Sequence, residues 1–447
     1  MLYHLTKSII HLALRGFFRK IEVIGEENIP KAGPIMFIAN HPSALIDPLI
    51  VSIAIKKKLH FIAGAEFFGK GFKSWLLREQ YNMIPVYRPK AENGKRVDNT
   101  DMFSECYKIL NREGAILVFP EGSSVTEKRI RSLKTGTIRI LSGFYKTTSK
   151  QPVHVIPVGL NYADPHSFKS DVLVKIGAPI SNHKLPMKDD SQEAIRSLSM
   201  VLEEHLKQEV IHIEDYSLNS LIANVHEILR YNLGSEVDSK KGFDTHKKLV
   251  DGVIHFQEVK PEAVQSINNK IDSYFSEIRA LGIDHYLLDE SKLVQKTSRI
   301  LLFIGLMPLF AVGLFGNLLP YSITKGIYQV KYRPRLQDES HGQHINPAFS
   351  ATVSYSIGTL IFLVWFVSIS LIAGYLTYWW VGIIAFFSLY LLGQFSAWYR
   401  RLGERLIKRW KVRRIFKKNK DKVEELITLR SEIIEELNIY REEFEGA

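Results

Sequence analysis

From Ser340 to Tyr399 the chain runs for 60 residues without one Lys, Arg, Asp or Glu. A soluble domain almost never leaves that much sequence uncharged, so this stretch constrains the fold more than any other. As one helix it would measure about 90 Å, against ~30 Å of bilayer hydrocarbon. Two spans joined near Gly374–Trp379 fit better, with Tyr375, Tyr378, Trp379 and Trp380 at the membrane interface, where aromatic rings are favoured. The reading is a transmembrane hairpin over residues 350–398.

The charge that follows is as telling as its absence before. Twelve Lys and Arg stand between Arg400 and Lys422 against Glu404 and Asp421, so much of the formal net charge of +12 is local. A basic protein can bind nucleic acid, but this block begins where the uncharged run ends. That is the placement of a juxtamembrane segment facing the cytoplasm and attracting anionic lipid. The implied partner is a lipid bilayer with anionic lipids, not nucleic acid. Residues 399–447 read as this basic segment followed by an amphipathic helical tail, in which Val423, Ile427, Ile434 and Leu437 recur near heptad spacing.

A second uncharged run, Ile300–Thr324, is interrupted by Pro308, Gly313, Gly316 and Pro320. Both flanks of the later hairpin are basic and therefore cytoplasmic. If the residues ahead of this run lie on that side too, a simple single span does not fit. Residues 299–324 are expected to form a re-entrant or in-plane hairpin bent at those prolines and glycines. A single cysteine, Cys106, excludes an intrachain disulfide and any Cys-x-x-Cys metal or redox site.

Ahead of these segments the pattern changes. Residues 1–20 suit an amphipathic helix on a membrane surface, with His4, Ser8, His11, Arg15 and Arg19 in one stripe; packing on the domain accounts for the same pattern equally well. Over residues 21–186, strand candidates Ile35–Ala39, Leu59–Ala63, Ile84–Tyr87, Ala115–Phe119, Val153–Gly159 and Val172–Ile176 are separated by helical stretches such as Asp98–Asn111 and Lys134–Phe144. This predicts an α/β fold, a central β-sheet flanked by helices, with reactive groups beyond the carboxyl ends of its strands. Residues 187–298 read as a helical region whose histidines lack ligand spacing.

Four short segments outline a candidate site, and the first three carry its chemistry. Asn40-His41-Pro42-Ser43-Ala44-Leu45-Ile46-Asp47-Pro48 follows the first of these strands, so His41 can act as a base oriented by Asp47, although a lone His–Asp pair is as readily structural. Arg88, just past Ile84-Pro85-Val86-Tyr87, can clamp a phosphate or simply face solvent. Phe119-Pro120-Glu121-Gly122-Ser123-Ser124 ends a strand at a glycine that admits a ligand and a serine that offers a hydroxyl. Lys134-Thr135-Gly136 then opens a helix whose first amides suit an anion. The fourth, Val155-Ile156-Pro157-Val158-Gly159, reads as a pocket wall without a chemical part.

In order and spacing these segments resemble the phospholipid/glycerol acyltransferase family, whose set is a His–Asp box, an arginine after a strand, a Phe-Pro-Glu-Gly-Ser/Thr box and a Val-Ile-Pro-Val strand. The resemblance covers about the first 180 residues. It implies the glycerolipid acyltransferase fold, His41 as catalytic base, Asp47 as its partner, and Arg88, Glu121, Gly122, Ser123 and Lys134 as substrate-binding residues. The common box has four residues between His and Asp; here there are five, as in the branch that includes fungal-type glycerol-3-phosphate/dihydroxyacetone-phosphate acyltransferases.

The expectation is therefore an integral membrane O-acyltransferase with its catalytic domain on the cytoplasmic face. It would move a fatty acyl group from acyl-CoA or acyl-carrier protein, as co-substrate, to glycerol 3-phosphate or dihydroxyacetone phosphate, with no metal and no cofactor. The alternatives are a lysophosphatidate or other lysophospholipid acceptor, and a non-catalytic lipid-binding scaffold.

Overall fold

The computed structural model describes residues 2–87, 98–147, 152–180, 191–233, 240–288, 297–334 and 347–446. It divides into two compact units. One comprises Met1–His212, Asp238–Lys240 and Tyr332–Tyr355; the other comprises Ile213–Val237, Lys241–Lys331 and Ser356–Ala447.

The first unit is built on strands β1 (Lys20–Ile24), β2 (Ile35–Ala39), β3 (Leu59–Gly64), β4 (Met83–Val86), β5 (Ala115–Val118), β6 (His154–Tyr162) and β7 (Asp171–Ile176). They form one sheet in the order β1-β7-β6-β2-β5-β3-β4, parallel throughout except for the β6–β7 pair. Its helices are α1 (Leu2–Phe17), α2 (Ile46–Ala54), α3 (Phe72–Trp75), α4 (Thr100–Asn111), α5 (Gly136–Thr147) and α6 (Gln192–Gln208).

Period-two alternation divides the core between the two faces. Ile35, Phe37 and Ala39 of β2 pack with Leu14, Phe17, Ile46 and Ile50 beneath α1 and α2. Met36 and Ile38 point the other way, toward residues of α4, α5 and α6. A strand buried on both faces must be apolar at every position, and β2 is. Each such buried side chain contributes roughly 1.5–3 kcal/mol.

Strand β1 escaped the sequence reading, which ended the first helix at Lys20. That helix stops at Phe17, and Lys-Ile-Glu-Val-Ile pairs along β7 at the sheet edge. An edge strand with two charged residues gives little apolar signal. Helix α1 buries Leu14 and Phe17 against the sheet, while the hydroxyl of Tyr355 donates to the Ile10 carbonyl at 3.3 Å.

The second unit is helical: α7 (Asn219–Leu233), α8 (Lys240–Val259), α9 (Pro261–Leu281), α10 (Thr297–Gly305), α11 (Met307–Ile327), α12 (Ser350–Leu376), α13 (Trp379–Lys418) and α14 (Lys420–Gly446). The first residues of α8 and α12 belong to the other unit. The tail helix α14 lies against α9, tied by Lys270–Glu436 and Lys422–Glu277. Among the described residues three helices, Met307–Tyr332, Ser350–Leu376 and Trp379–Lys418, are long and apolar enough to cross a membrane.

The run over 299–324 departs from the expected hairpin. A break at Leu306 is followed by one helix that continues through Gly313, Gly316 and Pro320. Pro308 sits in its first turn, where a missing N–H costs nothing. Pro320 deprives the Gly316 carbonyl of its helical donor, and the Trp365 indole N–H supplies one at 2.9 Å. Neighbours along α10 and α11 run from Tyr399 (at Phe303) through Ser396 (at Phe310) to Leu389 (at Asn317), and Thr324 then lies beside Gly358. Within the α12–α13 hairpin Phe366 meets Phe386 and Gly374 meets Gly382.

Candidate active site

Parallel register builds the site. β2 and β5 pair with Ile38 beside Val118, so the residues three further along each strand, His41 and Glu121, emerge together at the carboxyl edge. The His41 backbone N–H donates to Glu121 Oε1 at 3.1 Å. On the other flank the Asn40 side chain extends the β2–β6 ladder. Its Nδ2 donates to the Leu160 carbonyl at 3.0 Å, and its Oδ1 accepts from the Leu160 N–H at 2.7 Å. An amide side chain here replaces a peptide group and fixes where the next residue begins.

After His41 the chain turns through Pro42–Leu45 into α2. Ala44 takes a left-handed φ of 45°, a conformation that costs an L-residue roughly 1–2 kcal/mol. The strain is held by Ser124, whose Oγ accepts from the Ala44 N–H and donates to the His41 carbonyl, both at 2.8 Å. This compact turn accommodates five residues between His41 and Asp47 and delivers Asp47 in the first turn of α2.

Asp47 is fully buried, and its carboxylate accepts three hydrogen bonds. Oδ2 receives His41 Nδ1 at 2.8 Å and the Ser43 N–H at 2.7 Å, while Oδ1 receives the Tyr162 hydroxyl at 2.7 Å. Because a carboxylate only accepts, Nδ1 carries the imidazole proton, leaving the lone pair on Nε2. The imidazole stacks on Phe119, with centroids 4.1 Å apart and planes 17° from parallel. Burial, then the negative charge of Asp47, holds the Tyr162 phenol well above its ordinary range, so it remains a donor.

Glu121 is 4% exposed and meets Arg131, whose Nε donates to Oε2 at 3.0 Å. Burial pushes its carboxyl up; Arg131 and the amides of His41 and Arg131 pull it down. Arg131 also donates to Ser123 Oγ at 3.1 Å and to the Ser123 carbonyl. Gly122 has a φ of 77°, and a Cβ there would stand 3.0 Å from Lys134 Cγ, so this turn requires glycine. The Lys134 N–H donates to the Pro120 carbonyl at 2.7 Å, and the lysine side chain is exposed.

Of the sequence-derived residues, the structure joins His41 to Asp47 directly and to Glu121 through its backbone. Gly122, Ser123 and Lys134 lie around the same turn, and Arg88 lies outside the described residues. Three participants were missed. Ser124, not its neighbour Ser123, braces the histidine turn. Arg131 was one of several cations after Glu121, and nothing in their spacing marks the one that folds back. The fourth segment is more than a wall: β6 runs on to Tyr162, which reaches Asp47. Among the described residues, no three His, Cys, Asp or Glu side chains form a metal-binding group.

A histidine backed by a buried carboxylate at the carboxyl edge of a mixed sheet is the equipment of a general-base enzyme. Residues 20–161 match the family model described as Acyltransferase, so the chain carries an acyltransferase-family domain. It is 21% identical over 468 residues to glycerol-3-phosphate O-acyltransferase 1 of Saccharomyces cerevisiae, covering 83% of this chain and 61% of that protein. It is 25% identical over 146 residues to the chloroplastic 1-acyl-sn-glycerol-3-phosphate acyltransferase LPAT1 of Arabidopsis thaliana, covering 32% and 36%. The chain thus spans less than two thirds of the length of these curated relatives. The crystal structure of the 1-acyl-sn-glycerophosphate acyltransferase PlsC from Thermotoga maritima matches 46% of this chain and 78% of that one at 24% identity, with a TM-score of 0.33, too slight a likeness to carry an argument.

Proposed function

We propose that the chain is an integral membrane O-acyltransferase that transfers a fatty acyl group from an acyl thioester to a hydroxyl of glycerol 3-phosphate or dihydroxyacetone phosphate. The observation that carries this reading is the His41–Asp47 pair, with Nδ1 committed to the carboxylate and Nε2 left to take a proton. His41 Nε2 removes the acceptor's hydroxyl proton as its oxygen bonds to the acyl carbonyl carbon. The C–S bond then breaks, and the thiolate of coenzyme A or acyl-carrier protein leaves with the proton from the imidazolium. Asp47 stabilises that imidazolium. Arg88, Glu121, Gly122, Ser123 and Lys134 are assigned to the phosphate end of the acceptor.

The first acylation is favoured over the second by coverage. The match to the glycerol-3-phosphate enzyme extends over 83% of this chain, well past residue 161, whereas the match to the 1-acylglycerol-3-phosphate enzyme covers 32%. The α12–α13 hairpin is read as crossing the bilayer, residues 299–324 as a re-entrant or in-plane segment, and the basic end of α13 as cytoplasmic. The test offers the purified chain labelled acyl-CoA or acyl-carrier protein with glycerol 3-phosphate, dihydroxyacetone phosphate and lysophosphatidate side by side. Acylation of either of the first two is expected. Exclusive use of lysophosphatidate would move the enzyme to the second acylation, and no transfer to any acceptor would leave a lipid-binding scaffold.

A further inference from the structure

The sheet edge that holds His41 also carries an apolar surface the proposed reaction does not use. Between β3 and β4, Phe67, Phe72 and Trp75 are 46%, 72% and 47% exposed. Phe72 and Trp75 stack on one another, with centroids 5.5 Å apart, rather than folding inward. Lys70, Lys73 and Arg78 are interleaved with them and exposed. Exposed aromatics rimmed by cations are the composition of a surface that lies in a membrane interface. Because β2, β3 and β5 are parallel, this segment leaves the sheet at the same edge as His41 and Glu121, and because β4 is parallel to β3 it crosses to the opposite edge before Met83.

A second, independent observation bears on what covers that surface. The first turn of α12, a helix long and apolar enough to cross a membrane, lies within the catalytic unit. Thr352 Oγ1 accepts from the Leu45 N–H at 3.1 Å and donates to the Ser43 carbonyl at 3.4 Å, gripping the turn that carries Asp47. Ala351 and Tyr355 are part of the core under α1 and α2. The helix read as a membrane span therefore begins at the histidine turn itself.

We propose that residues 67–78 form an interfacial foot that seats the catalytic edge of the sheet on a bilayer surface carrying anionic lipid. The aromatic rings enter the headgroup–acyl boundary, about 5–10 Å deep, and Lys70, Lys73 and Arg78 meet lipid phosphates. An acyl chain then reaches His41 without leaving the bilayer. The inference rests on reading α12 as a membrane span and not on the choice of acceptor.

The sole cysteine makes the test direct, since Cys106 is buried and burial pushes its thiol up to about 12. The full chain carrying Phe72→Cys, or Met200→Cys on α6 as an exposed control (65%), takes a spin label in phosphatidylcholine–phosphatidylglycerol bilayers or in pure phosphatidylcholine. Collisions with oxygen, enriched in lipid, and with a nickel chelate, confined to water, report depth. The label at 72 is expected to show the higher oxygen-to-nickel ratio, and Lys70→Glu with Lys73→Glu to lower it where phosphatidylglycerol is present. A ratio equal to the control overturns the foot, and protection from both reagents replaces it with a protein contact. A ratio indifferent to phosphatidylglycerol removes the anionic lipid. Release of the whole chain by carbonate washing would instead overturn the span.

Discussion

The hydroxyl of Tyr162 donates to Oδ1 of Asp47 at 2.7 Å, while Oδ2 faces the imidazole of His41. The two oxygens thus divide their work, one anchored by β6 and the other orienting the base.

Tyr162→Phe removes one donor worth about 1 kcal/mol and leaves more of the carboxylate's charge directed at His41. With one anchor lost the carboxylate orients the imidazole less firmly, so kcat should fall severalfold while KM changes little. A variant with lower stability but an unchanged kcat would assign the phenol a packing role alone.

Activity and stability should separate at the central pair. His41→Ala is expected to lose about 10²–10⁴-fold in kcat with little change in Tm, because the imidazole is partly exposed and stands at the edge. Asp47→Asn should also slow turnover and should lower Tm more, since the amide keeps one acceptor oxygen where the buried carboxylate offers two to three donors. Thermal unfolding alongside initial rates checks both.

Arg131→Met leaves Glu121 buried without its cation, a loss of about 1–3 kcal/mol at neutral pH. The sign with pH follows from burial. Glu121 already titrates above its ordinary range, and without Arg131 it rises further, so the folded state holds a proton that the unfolded chain gives up. The deficit relative to the parent should be small below about pH 4 and grow toward neutrality, measured as the difference in Tm across pH.

Within the apolar helices, Gly313→Leu should lower Tm by several degrees. A Cβ at Gly313 would meet Ser396 Oγ and stand 2.6 Å from the Leu392 carbonyl, a backbone atom of α13 that cannot step aside. Gly305→Ala, with nothing within 4 Å, is the matched control and should leave Tm nearly unchanged. Close approach through small residues is how such helices associate where lipid removes the hydrophobic drive.

Much of this was legible in the chain. Uninterrupted apolar strands marked β2 and β5 because both faces of the sheet are covered, and the absence of charge marked α12 and α13. The His41–Asp47 pair was a candidate on its residue types, but the family resemblance, and not the spacing, singled it out. What stayed hidden depends on register between distant segments: Tyr162 reaches Asp47 across 115 residues, and Arg131 folds back to Glu121 from a cluster of equivalent cations. Pro320 read as a bend because its helical partner's rescue by Trp365 is a tertiary event.

The shared offset of His41 and Glu121 from paired Ile38 and Val118 carries a consequence for chain length. An insertion or deletion between Ile38 and His41 would carry the base out of reach of Glu121 unless the same change were made between Val118 and Glu121. Descendants of this chain should therefore keep those two junctions at fixed and equal length, and accumulate gaps in stretches that no neighbouring strand has to match.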